Sequence, residues 1–118
     1  MTDSKDLKDR TKRFAVQVIR VIDKLPRSIS SEVIARQLVK AATSVGANYR
    51  AACRGRSPAE FVAKLQIAME ESDESMYWLE LMLELEMMES EASRDLIREA
   101  DELTAIFVSS LKTARGKL

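Results

Sequence analysis

Apolar residues recur along this chain at intervals of three, four and seven, the spacing of one face of an α-helix. Four such segments are legible, at about 3–25, 30–54, 58–89 and 91–114. In the first, Leu7, Phe14, Val18, Val21 and Leu25 share a face that Ile19 and Ile22 widen, and Pro26 stops it. In the second, Ile34, Leu38, Ala41, Val45, Tyr49 and Ala52 mark the buried stripe. In the third the stripe is Phe61, Leu65, Ala68, Ser72, Met76, Leu79 and Leu83; in the fourth it is Leu96, Ala100, Leu103, Phe107 and Leu111.

The segment ends carry their own signals. A cap at Ser30 or Ser31 with Glu32 behind it suits the start of the second helix. Gly55 reads as its left-handed terminator. Ser57-Pro58-Ala59-Glu60 opens the third with a capping serine, proline in the first helical position and a capping-box glutamate. Gly46, in mid-helix beside Ala41, Ala42 and Ala47, predicts a closely packed neighbouring helix. Short connections between four long amphipathic segments predict an all-α, antiparallel up-down-up-down four-helix bundle in one domain, residues 1–118.

From Met76 to Met88 the apolar character of the third segment wraps most of the way round, with only Glu80, Glu84 and Glu86 charged. One core can bury Leu79 and Leu83, which leaves Trp78, Leu81, Leu85 and Met88 without an obvious cover. Such a patch predicts an interface between copies of the chain; the alternative is that the fourth helix covers it.

Composition supports the helical reading. Glycine and proline number three and two, and aromatics make up 5%. No apolar run approaches the roughly 20 residues of a membrane span, and the polar start Met1-Thr2-Asp3-Ser4-Lys5-Asp6 does not read as a signal peptide. Cys53, the one cysteine, has no internal partner, and a cytoplasmic location is expected.

The formal net charge of zero hides a sorted distribution. Residues 1–25 carry +3, residues 26–57 carry +5, residues 58–89 carry −8, and the remainder balance. Arg36, Lys40, Arg50 and Arg54 share one stripe of the second helix, and Lys5, Lys8 and Lys12 share one of the first. They are candidate nucleic-acid contacts, or else solvated faces that lie across from the acidic third helix of a neighbour. No aromatic residues alternate with them to stack bases.

Catalytic chemistry finds little footing. The chain has no histidine, so the usual general base and the Ser/His and Cys/His dyads are missing. Glu71-x-x-Glu74 supplies too few ligands for a bundle di-metal site. Cys53 reads as a packing residue, and no phosphate loop or dinucleotide fingerprint is present. Neither a cofactor nor a metal is expected. Gln37, Ser44 and Asn48 on the second helix and Glu71 and Glu74 on the third are expected to form an interhelical polar layer that fixes register.

The runs Gln37-Leu38 to Arg50, Ser57-Pro58 to Leu65 and Glu71-Ser72 to Leu81 complete the pattern, with Asp6-Leu7-Lys8, Phe14-Ala15 and Leu25-Pro26 before them. In order, they resemble the bacterial four-helix-bundle family known as 23S rRNA intervening-sequence proteins, over nearly the whole chain. The resemblance implies a left-handed bundle that assembles into a homo-oligomeric ring, a pentamer. A distant branch of that family serves diversity-generating retroelements as the accessory variability protein, which binds a reverse transcriptase and nucleic acid; that branch is strongly basic. The family pattern often carries a glutamate where this chain has Ala51. The function expected is that of a non-enzymatic homo-oligomeric scaffold that binds a partner, with a nucleic-acid-binding accessory protein as the alternative.

Overall fold

The computed structural model describes residues 3–118, so Met1 and Thr2 of the polar start lie outside it. The described chain is all-α, with no strand, and holds α1 (Ser4–Ile22), α2 (Ile29–Cys53), α3 (Pro58–Glu84) and α4 (Ser90–Arg115). They pack into a body of 46 × 22 × 20 Å. Helices consecutive in sequence are neighbours in space, and α1 and α4 meet over the shortest stretch. All four contribute to one apolar core centred on Phe14, Leu38, Val45, Leu65, Leu79, Met82, Leu103 and Phe107. The Tyr49 ring packs on Phe107 with centroids 5.7 Å apart.

The helix ends depart from the sequence pattern in instructive ways. α1 closes at Ile22, three residues early, because Lys24 and Leu25 turn their N–H groups back onto the carbonyls of Val21 and Ile22 ahead of Pro26. The cap of α2 is Ser28, not Ser30 or Ser31. Ser28 Oγ accepts from the Ser31 N–H at 3.1 Å and Ser31 Oγ accepts from the Ser28 N–H at 2.9 Å, a reciprocal box. At α3, Ser57 Oγ accepts from the Glu60 N–H at 3.1 Å, half of a capping box, with Pro58 in the first turn as expected.

Gly55 is not a left-handed terminator, since no described glycine has positive φ. Its lack of a side chain is needed for space: a Cβ there would stand 3.1 Å from the Ala52 carbonyl oxygen and 3.2 Å from the Phe61 nitrogen. The left-handed residue is Glu86, with φ of 54°. It ends α3 at Glu84, short of residue 89, through bonds from the Glu86 N–H to the Leu83 carbonyl and from the Met87 N–H to the Met82 carbonyl. That pair is the Schellman ending, usually built on glycine. The left-handed conformation costs a residue with a Cβ about 1–2 kcal/mol.

Two contacts decide how α1 sits. A Cβ on Gly46 would fall 3.1 Å from Thr11 Oγ1, so the glycine permits the close approach that its small neighbours predict. Thr11 is fully buried and its hydroxyl is fixed by donation to the Leu7 carbonyl at 2.7 Å. On the other flank Arg10 clasps α4: Nε and Nη2 donate to the two Glu99 oxygens at 2.8 and 2.7 Å, and Nη2 lies 3.3 Å from Glu102. The bonds to Glu99 hold the guanidinium still more firmly protonated than usual. A two-pronged, half-buried pair of this kind outweighs an ordinary surface ion pair.

Two substitutions test this account by thermal or denaturant unfolding. Glu86→Gly should stabilise the protein by about 1 kcal/mol by removing the left-handed penalty. Gly46→Ala should destabilise it by about 1 kcal/mol, crowding α1 by more than the gain in helix propensity. In a Thr11→Ala background the same change should become stabilising, because the obstructing hydroxyl is gone.

Candidate functional site

The five residues expected to form a polar layer are distributed differently. Glu71 is half-buried on α3 and faces Ser44 and Lys40 of α2, with Glu74 one turn on. Burial pushes its carboxyl pKa upward and the Glu74 charge adds to this, while the Ser44 hydroxyl and the Lys40 charge pull it back. Asn48 Nδ2 donates to the Ser44 carbonyl of its own helix at 2.9 Å. Gln37 and Glu74 are exposed. A buried bond between α3 and α4 that the sequence reading missed is Ser72 Oγ to Thr104 Oγ1 at 2.7 Å, with Ser72 fully buried. Its signal was a hydroxyl set inside the apolar stripe of α3.

The apolar flank of α3 is covered in part by the protein's own chain. Trp78, Leu81 and Met88 are half-buried against the core, which corrects the expectation that the fold leaves all four residues uncovered. Leu85 stays 51% exposed. The Trp78 ring meets Tyr77 edge to face at 5.0 Å, and its Nε1 is buried without a hydrogen-bond acceptor. At the start of α2, Ile29 is 87% and Val33 56% exposed. Both stand outside the heptad-like stripe of that helix, which is how the sequence pattern passed over them.

The basic stripe of α2 divides. Arg36, Lys40, Arg50 and Arg54 are all exposed. Arg36 borders a shallow depression of about 320 Å³ at the α1–α2 connection, shared with Asp23, Arg27 and Glu32. Lys40 points its charge toward Glu71. Only Arg50 and Arg54 enter a groove of about 490 Å³ between α1 and α2, where Lys8 and Lys12 face them. Two stripes that the sequence shows separately thus meet in one place, set by the seat of Thr11 on Gly46.

Cys53 is half-buried and free, beside Tyr49, whose phenol is pushed well above its ordinary pKa by burial first and by Cys53 second. Among the described residues no three His, Cys, Asp or Glu side chains come together in an arrangement suited to a metal ion. No described helix is long and apolar enough to cross a membrane.

The family described as 23S rRNA-intervening sequence protein matches residues 5–109. A solved protein of unknown function from the S23 ribosomal protein family, from Bacteroides thetaiotaomicron VPI-5482, superposes with a TM-score of 0.85. It is 31% identical over 92% of this chain and 97% of its own. No curated protein matches.

Glu71 yields a pH prediction. Its folded-state pKa lies above the unfolded value of about 4.3, so folding takes up a proton between the two values and stability falls as pH rises through that window. Glu71→Gln should therefore raise the melting temperature at pH 7. The gain should shrink as pH falls and vanish by about pH 3, where both states are protonated. Equal melting-temperature differences at the two pH values would contradict it.

Proposed function

This chain belongs to the 23S rRNA-intervening sequence protein family, and we propose that it acts without catalysis, as a homo-oligomeric scaffold that presents a binding surface to a partner in the cytoplasm. The protomer in this reading is a left-handed up-down-up-down bundle, and five protomers close a ring.

Opposite running of the helices is supported by the pairs between α3 and α4. Gln66 accepts from Arg115 and Ser72 meets Thr104, so residue numbers rise on one helix as they fall on the other. Applied to α2 and α3, the same sense brings the start of α2 beside the end of α3. Ile29 and Val33 then join Leu81 and Leu85 in one apolar area at that end of the bundle.

The observation that carries the reading is the exposure of three large apolar side chains, Ile29, Val33 and Leu85. Contiguous apolar surface rimmed by charge marks association, and each large side chain buried there contributes about 1.5–3 kcal/mol. The half-buried Trp78, Leu81 and Met88 extend the area, so their remaining exposed surface is available to a second copy. The number five and the ring rest on the resemblance; a heterologous contact whose rotation closes produces such rings. The absence of histidine from the chain favours binding over catalysis.

Sedimentation velocity tests the proposal. The wild-type protein should sediment as a pentamer, and Val33→Asp with Leu85→Asp should shift it to monomer with its helical circular dichroism intact. A wild-type monomer at every concentration, or an oligomer indifferent to both substitutions, would overturn it.

A further inference from the structure

We infer that the groove between α1 and α2 is a binding site for a ligand that carries several adjacent phosphates, held by Lys8, Lys12, Arg50 and Arg54. This goes beyond the scaffold reading and does not depend on it.

Four cations converge on a space of about 490 Å³, within the range of small-ligand sites. Lys8 and Lys12 are one turn apart on α1, and Arg50 and Arg54 are one turn apart on α2, so each pair is separated by about 6 Å along its axis. That is the order of the step between neighbouring phosphates. Among the described residues none of the four makes an ion pair; the pairs that form engage Arg10 and Arg98 elsewhere. Asp9 is the one acidic residue at the groove, and it leaves a surplus of positive charge held together against its own repulsion.

The rest of the lining narrows the ligand. Thr11 and Thr43 both donate their hydroxyls to their own helices, to the Leu7 and Val39 carbonyls at 2.7 Å each. Ala15, Gly46 and Ala47 keep the floor low. No aromatic ring borders the groove, so bases have nothing to stack on. What remains is cationic, two guanidinium forks suited to phosphate oxygens and two lysine point charges. The N-terminal turns of α1 favour an anion and the C-terminal turns of α2 oppose one, so the side chains decide the sign. The shared chemistry is a run of phosphates, from either a nucleic-acid backbone or a free nucleoside polyphosphate.

Fluorescence anisotropy on the full chain tests the inference, with a labelled single strand of about 20 nucleotides as probe and ATP and inorganic tripolyphosphate as competitors. Four phosphate contacts predict a loss of roughly 50-fold in affinity between about 50 and 200 mM salt. Lys12→Gln with Arg50→Gln, both exposed, should reduce binding at least tenfold with circular dichroism unchanged, and Arg36→Gln with Lys40→Gln should leave it unaltered. Displacement by tripolyphosphate and ATP at matched phosphate concentration identifies the free polyphosphate; resistance to them identifies the polymer backbone. If neither the strand nor the polyphosphates bind at low salt, or if the groove substitutions do no more than those at Arg36 and Lys40, the inference is wrong.

Discussion

The seat of α1 depends on a missing side chain. Gly46 gives up helix propensity in the middle of α2 and in return lets Thr11 close to a distance that a Cβ would crowd. This matters because α1 has little else to hold it. It meets α4 over the shortest stretch in the bundle, and the described ion pairs across that gap both come from Arg10. The apolar face of α1, led by Phe14 and Val18, reaches the core only if the helix comes in close on α2. The same approach sets the width of the basic groove, so packing and charge display share one determinant.

Much of this architecture could be read from the order of residues, where a local rule acted alone. Ser57-Pro58 specified the start of α3 because capping and proline geometry require nothing from the rest of the fold. The start of α2 was harder: Ser28, Ser30 and Ser31 all offer hydroxyls, and the choice rests on which turn also returns a bond, as Ser31 does. Glycine misled at Gly55 and glutamate at Glu86 for a common reason. Left-handed conformation is a preference that tertiary packing overrides, and the Met82 and Met87 side chains, both packed in or against the core, favour the ending at Glu86 despite its cost.

The candidate site was legible in its parts and not in its assembly. The spacing of Arg50 and Arg54, and of Lys8 and Lys12, follows from helical periodicity. Their convergence depends on the rotation of α1 about its own axis, which no single helix encodes. The polar layer is partial for the same reason: Glu71 meets Ser44 across α2 and α3, and the other members turn away. Periodicity placed Gln37 and Asn48 near the buried stripe of α2, but a rotation of a few tens of degrees exposes one and turns the other onto its own backbone. Ser72 and Thr104 meet because both lie where two apolar stripes touch, and each hydroxyl also reaches a carbonyl of its own helix.

Trp78 is the chain's one indole. Its ring is half-sheltered on the flank of α3, and its nitrogen is sealed from solvent with no acceptor. Tryptophan emission from this protein therefore comes from a single address. Its colour and quenching report the state of that flank without any attached dye, which makes the protein its own probe of whatever comes to rest there.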